Sequence, residues 1–271
     1  MLNESKYSKR VCDPNFLLHR YIETSDSFRF AKVSRSVHKQ STFITDEYLP
    51  QNLDCFELKR SNCSHIKTPT SPIHFIFHSA YCCSTMLTRA FDIKTKSMGL
   101  KEPVILNDLV GWRRRGATPE KLKYVLEQSL TLLSKPFSDG EVTIIKPSNT
   151  CNILASDMLD MFPDSKALLL YAPIESFLQS IAKKEMWGRI WVRKALVGLM
   201  KDKIIIGEYS LEDILQLTDL QVAALGWLSQ HALFAHIIKT FGTSRIKILD
   251  SDTFLARQLE TIATLLSLIH I

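Results

Sequence analysis

Ser84 and Thr85 stand side by side where an apolar strand pattern gives way to a helical one. Ile73-His-Phe-Ile-Phe77 is a mostly apolar run, and Met86, Leu87, Ala90 and Phe91 follow with helical spacing. Between them lies His78-Ser-Ala-Tyr-Cys-Cys83, short and built of small or polar residues. A strand, a tight loop and a helix in that order leave the first-turn N–H groups unpaired at the positive end of a helix dipole, where an anion is stabilised. The loop is a candidate phosphate cradle, and an ordinary β–α turn capped by Ser84 is the plain alternative. Lys146 ends a second apolar run, Val142-Thr-Ile-Ile-Lys146. The carboxyl end of a strand is where open α/β sheets place ligand contacts. A third cluster interleaves Lys183, Lys184, Arg189, Arg193 and Lys194 with Trp187 and Trp191. Guanidinium forks suit phosphate oxygens and indoles offer a stacking face, while an amphipathic helix with snorkelling cations would carry the same residues.

Three phosphate-loop patterns can be laid on the first segment. The Walker A pattern G-x-x-x-x-G-K-[ST] sets its glycines on His78 and Cys83 and its lysine on Ser84, so only the terminal hydroxyl matches. That argues against ordinary ATP or GTP hydrolysis. Cys83 to Arg89 is also C-x5-R, the phosphate loop of cysteine phosphatases, although Met86 and Leu87 occupy the heart of a loop that carries glycine there. The 5′-phosphosulfate loop of sulfotransferases, P-[RK]-S-G-[ST]-[ST]-x-L after an apolar strand, aligns with Ala80-Tyr-Cys-Cys-Ser-Thr-Met-Leu87. In this the chain resembles the sulfotransferase family. Tyr81 stands at the family's basic position and Cys83 at its glycine, so the match retains the hydroxyl pair on a helix N-terminus.

The resemblance runs in order over residues 72–268. It implies 3′-phosphoadenosine-5′-phosphosulfate (PAPS) as donor, in-line transfer of a sulfuryl group to a hydroxyl or amine on a small-molecule or glycan acceptor, and no metal. Tyr81, Cys82, Cys83, Ser84 and Thr85 would hold the 5′-phosphosulfate through loop amides and hydroxyls. Family members with a carboxylate base carry a glutamate about twenty residues beyond the basic loop position, and Glu102 lies 21 residues past Tyr81. Glu102 would then take the acceptor's proton. Lys101 would neutralise the phosphosulfate in place of the missing loop cation, with an exposed Lys-Glu pair before Pro103 as the alternative. Lys146-Pro147 resembles the family's lysine-proline strand end. For the 3′-phosphate the family uses a strand followed by R-[DN]-P-x-[DE]-x-x-x-S. Lys166–Tyr171 supplies the strand; counted back from Ser180, Ala172 takes the arginine position and Ser176 the acid, and counted from Pro173, Tyr171 takes the arginine position and Gln179 the serine, so the arginine is missing either way. Ser180 and Arg189 are the implied partners of that phosphate. Asp250-Ser-Asp-Thr-Phe-Leu255 resembles the family's closing strand and terminal helix.

Such residues need a sheet to bring them together. Strands near 73, 142, 166 and 245 alternate with helices, which predicts an α/β three-layer sandwich with a mainly parallel central sheet, P-loop NTPase-like in the sulfotransferase manner. This domain is expected over 71–271, with residues 1–70 as an N-terminal extension packed on it. Within the extension, Phe16–Tyr21 reads as a short helix, Phe28–Val33 as a strand and Phe43–Leu49 as a further short element. Gly99–Leu106 reads as a short strand carrying Lys101-Glu102-Pro103 near its end. Trp112-Arg-Arg-Arg-Gly116 is either a solvated run or a gate for an anionic substrate. Thr118 caps and Pro119 opens a helix stopped at Lys135-Pro136. Further helices are expected over 150–161, after Ser210, and from the Thr218–Gln221 capping box to Gly242. The tail Ser-Leu-Ile-His-Ile271 is set aside as a truncated end or foreign read-through.

Composition narrows the function class. The 271 residues are 45% hydrophobic and 23% charged with a net charge of +6, ordinary for a globular domain and suited to a phosphate- or sulfate-bearing ligand. One basic-aromatic segment without a recognised motif is weak ground for nucleic acid, and none is expected. Cys12, Cys55, Cys63, Cys82, Cys83 and Cys151 form no C-x-x-C pair and no metal spacing, which predicts free thiols in a reducing, cytoplasmic setting. The first ten residues carry charge with no apolar run behind them, so no cleaved signal is expected. Val222–Ile238 is interrupted by Ser229, Gln230, His231 and His236 and reads as a buried helix, with no membrane partner. Two other readings stay open: a non-catalytic nucleotide- or partner-binding protein on the same fold, since both signature cations are absent, and a cysteine phosphatase using Cys83 and Arg89.

Overall fold

In the computed structural model the backbone is described for residues 2–269 and the side chains from Tyr7 to Ile269. Met1, His270 and Ile271, which belong to the extension and tail readings, lie outside the described residues. The N-terminal segment carries β1 (Phe16–Ile22), β2 (Ser27–Lys32) and β3 (Cys55–Lys59), an antiparallel sheet in the order 1-2-3. The expected helix at Phe16–Tyr21 is therefore a strand. Its register runs from Phe16 opposite Lys32 to Ile22 opposite Ser27, closed by a tight turn in which Asp26 takes a left-handed φ of 46°. Two neighbouring apolar runs separated by a short turn form a hairpin when both can bury against a third element. Here Leu18, Phe28 and Phe30 do so, in one core with Ile105, Leu109 and Leu126.

The central sheet holds β4 (Ile73–His78), β5 (Ser97–Lys101), β6 (Val142–Lys146), β7 (Ala167–Tyr171) and β8 (Ile246–Asp250) in the order β5-β6-β4-β7-β8, every pair parallel. Strands covered on both faces read as near-continuous apolar runs, which is why these were legible. Alternate residues enter opposite cores: Phe75, Phe77 and Leu169 join one buried cluster, while Ile76, Leu168 and Leu170 join the other. Helices Val104–Arg114, Pro119–Leu133 and Ala155–Met161 cover the first face, and Ser84–Ala90, Ile174–Ala182 and Glu185–Lys201 the second. The 23-residue helix Asp219–Phe241 lends Phe234 and Ile237 to one and Val222 and Leu225 to the other. Among the described residues no helix is long and apolar enough to cross a membrane.

Several local expectations are adjusted. Gly99–Leu106 is a strand only to Lys101; Val104, Ile105 and Leu106 open the next helix. Phe43–Leu49 is irregular, and Ile44 fastens it to this corner by donating to the Lys101 carbonyl at 2.7 Å and accepting from the Val104 amide at 3.2 Å. Residues 149–154 form a 3-10 turn before the α-helix Ala155–Met161 begins. The arginine run is spent on ion pairs: Arg113 and Arg114 share the buried Asp202, and Arg115 meets Glu23. Gly99 admits the helix of the candidate loop, since a Cβ there would stand 2.5 Å from the Thr88 carbonyl oxygen.

Candidate functional site

The loop between β4 and its helix sits at the centre of the sheet's carboxyl edge, where the order turns from β6 on one side of β4 to β7 on the other. Such a switch point is where open α/β sheets form a crevice. The Ser79 amide donates to Leu170 O at 3.0 Å and the Ala172 amide to Ser79 Oγ at 3.4 Å, which ties the loop to β7. Ala80, Tyr81 and Cys83 all have left-handed backbones, with φ of 71°, 51° and 61°. Non-glycine residues held there carry strain, which gathers at functional turns. Cys83 precedes the helix without a side-chain cap, and although the Ser84 amide meets the Cys82 sulfur, the amides that follow it in the first turn keep their capacity for an external acceptor. Ser84 is buried beside the Cys82 sulfur, while Thr85 is half-exposed.

His78, expected to open the loop, instead closes β4 and organises the loop from there. Its Nδ1 accepts from the Ala80 amide at 3.1 Å, so Nε2 carries the proton and donates to Pro147 O at 3.1 Å. Burial and the nearby Lys146 charge hold its pKa well below the ordinary value, and the ring stays neutral. Asn152 donates to the His78 carbonyl at 2.9 Å and to Gln230 Oε1 at 2.7 Å, linking the loop to the long helix. The only advance signal for His78 was its place at the carboxyl end of an apolar strand.

Lys146 and Glu102 meet at the same edge. The Lys146 ammonium is buried, donates to Thr85 Oγ1 at 3.2 Å and pairs directly with Glu102. Burial pushes its pKa down and the Glu102 charge opposes that. Phe43, from the N-terminal segment, covers the ammonium at 4.9 Å from its ring centroid. Glu102 is held by its amide to the Lys146 carbonyl at 2.7 Å, takes a left-handed φ of 55°, and lies 3.7 Å from His78 Nε2. Thr85, Lys146, Glu102 and His78 are thus one connected group. A buried cation thus reaches the loop from β6.

Other candidates lie elsewhere. Lys101, expected to face the phosphosulfate, instead donates to the carbonyls of His38 and Lys39 at the end of the Arg35–Gln40 helix. Burial lowers its pKa to about 8. Tyr81 leans away toward Phe177 and Trp191, with ring centroids at 6.0 and 5.2 Å, and burial raises its phenol to about 12. The Cys82 thiol is buried against Leu170 O and raised to about 12. Ser180 Oγ donates to Ser176 O at 2.8 Å inside its own helix, and the exposed Arg189 stands 3.8 Å from Asp219. Asp252, unanticipated, accepts from Ser176 Oγ at 3.4 Å and sets its charge near Cys83.

The phosphatase geometry is not met. A nucleophilic cysteine needs a depressed pKa, but burial and Asp252 raise that of Cys83. Arg89 points to Gln40 O and Thr42 Oγ1, each at 3.5 Å, rather than into the loop. All six cysteines are free thiols, and among the described residues no group of three or more His, Cys, Asp or Glu could hold a metal.

The fold is similar to solved sulfotransferases. The sulfotransferase domain from the curacin biosynthetic pathway superposes with a TM-score of 0.51 at 12% identity, over 76% of this chain and 75% of that one. A sulfotransferase from Alicyclobacillus acidocaldarius gives 0.43 at 15% identity, over 75% of this chain and 82% of that one. One from Mycobacterium avium gives 0.48 at 9% identity, over 75% and 64%. No protein-family model matches the sequence, and no curated protein matches it. The likeness establishes a sulfotransferase-like α/β fold.

Proposed function

We propose that the chain transfers a sulfuryl group from PAPS to a hydroxyl or amine acceptor. The observation that carries this reading is the position of Lys146, hydrogen-bonded to Thr85 on the loop helix and paired with Glu102. The loop amides, Thr85 and Lys146 hold the 5′-phosphosulfate, the ammonium replacing the basic residue missing at Tyr81. An arriving phosphosulfate competes for Lys146 and frees Glu102. The acceptor oxygen then attacks sulfur, its proton passes to Glu102, and the bond from sulfur to the phosphate oxygen breaks. 3′,5′-Adenosine bisphosphate leaves with that bond's electron pair, its charge neutralised by Lys146 and the amides. Neutral His78, hydrogen-bonded into the loop, keeps the cradle in register.

Titration calorimetry with 3′,5′-adenosine bisphosphate, run beside a transfer assay with labelled PAPS and a panel of acceptors, tests this reading. Glu102→Gln is expected to keep bisphosphate binding and lose transfer. Absence of binding at high micromolar bisphosphate removes the donor assignment. The Lys146–Glu102 pair favours the second reading, a nucleotide-binding protein on this fold without transfer, because the carboxylate that would take the acceptor's proton is already engaged by the ammonium. Binding with no transfer to any acceptor in the panel would establish it.

A further inference from the structure

An open groove runs between the Glu185–Lys201 and Asp219–Phe241 helices and reaches the loop at Ser79 and the β6 exit at Asn149 and Thr150. One stripe of the long helix faces it, Val222, Ala223, Gly226, Trp227 and Gln230, spaced as successive turns of a single face. The opposite wall comes from Trp191, Val192, Lys194 and Leu199, with Phe177 beside them. Gly226 helps keep the groove open: a Cβ there would meet only Leu199 Cδ1, at 3.7 Å.

The aromatic walls are fixed. Trp227 Nε1 donates to Ala172 O at 2.9 Å and its ring stacks on His231 at 3.5 Å. Trp191 and Phe177 are braced by Tyr81, which the loop holds between them. Rigid aromatic walls along an open groove favour a flat apolar body laid against them.

The polar lining is cationic. Arg114 lies against Gly198, where a Cβ would come 2.8 Å from Nη2, and Lys194 stands one turn earlier on the same helix face. Asp202 engages Nε and Nη2 of Arg114 at 3.1 and 2.6 Å, leaving Nη1 unbonded among the described residues. The same carboxylate also serves Arg113, so one negative charge faces two guanidiniums. Among the described residues no acidic side chain lines the groove. Gln230 connects it through Asn152 to the His78 carbonyl, the ring of which lies beside Glu102.

We propose that this groove takes the acceptor, a flat and largely apolar hydroxyl compound bearing a carboxylate. Its rings lie among Phe177, Trp191 and Trp227, its carboxylate meets Arg114 and Lys194, and its hydroxyl points to the Ser79 end of the groove, beside the loop. The fate of the hydroxyl rests on the transferase reading; binding does not.

The test is calorimetry with 6-hydroxy-2-naphthoic acid and with 2-naphthol on the full chain. The acid is expected to bind about tenfold more tightly, the scale of one charge-assisted contact. Lys194→Gln is expected to erase most of that difference and leave 2-naphthol unchanged. Gly226→Leu fills the groove and is expected to block both compounds while bisphosphate binding and the melting temperature hold. Equal affinities, no binding of either compound, or a preference untouched by Lys194→Gln overturns the proposal. So does direct competition between bisphosphate and the acid, which would give the groove to the donor. If the acid binds as stated and bisphosphate binds nowhere, the groove stands and the donor assignment falls.

Discussion

Lys146 and Glu102, 44 residues apart in sequence, are in direct contact at the carboxyl edge of the sheet, and the same ammonium reaches Thr85 at 3.2 Å. The two partners are unequally buried: the Lys146 side chain is 1% exposed and that of Glu102 18%. Removing the carboxylate strands a buried ammonium, whereas removing the ammonium leaves a carboxylate that water can reach. Glu102→Ala is therefore expected to cost about 3 kcal/mol in urea denaturation, and Lys146→Met clearly less. The double variant should recover part of the Glu102→Ala loss. Equal costs for the two single variants would show that the pair does not set local stability.

The buried ammonium also gives bisphosphate binding a pH dependence. Burial lowers the Lys146 pKa from the ordinary lysine value, with Glu102 acting in the other direction. The charged form is the one that holds an anion, so affinity is full below the depressed pKa and falls as pH rises through it, earlier than for an exposed lysine. Calorimetry from about pH 7 to pH 10 should show this decline. Lys146→Arg, whose guanidinium stays charged throughout, should flatten it. A wild-type affinity that is constant over this range assigns the anion to some other group.

The left-handed loop suggests a substitution in the opposite sense. Cys83 holds φ 61° and makes no cap hydrogen bond, so its backbone carries a steric cost set only against the partial packing of its side chain on the second core. Cys83→Gly should stabilise the protein by about 0.5–1 kcal/mol, the relief exceeding the added entropy of the unfolded chain. Bisphosphate affinity should hold or improve. Cys83→Ser should leave transfer intact, and a loss of activity there would revive the cysteine as nucleophile. Thermal melts and the transfer assay read both.

The central strands, the loop and the capped helices were legible because each is a local pattern: apolar runs of five or six residues, hydroxyl pairs and capping boxes at fixed offsets. Lys146 and Glu102 could be named one at a time. Their pairing, and the arrival of Lys146 at Thr85, depend on the strand order β5-β6-β4, which local pattern does not encode. Lys101 was misread for the same reason. The carbonyls that capture it belong to His38 and Lys39, more than 60 residues upstream. Phe43 reaches Lys146 from the same distant segment. Phe16–Tyr21 has a composition that suits helix or strand alike, and pairing with β2 decides for the strand. The groove was invisible because its walls are stripes of two helices that touch only in the fold.

Asp252 is the residue most at odds with a phosphate at this edge. It accepts from Ser176 Oγ at 3.4 Å and raises the Cys83 thiol, so its field extends over both the loop and the Ser176–Ser180 turn. Neither Ser180, bonded within its helix, nor Arg189, near Asp219, offsets that charge. Removing one exposed like charge beside a bound anion is worth about 0.5–1 kcal/mol, and the gain shrinks with salt. Asp252→Asn should thus tighten 3′,5′-adenosine bisphosphate by about two- to fivefold at low ionic strength. The gain should fade by about 0.5 M salt. Adenosine 5′-monophosphate, which lacks the 3′-phosphate, should gain less if Ser176 and Ser180 face that group. An unchanged bisphosphate affinity would place the phosphates away from this turn, and an equal gain for both nucleotides would place only the 5′-group near Asp252.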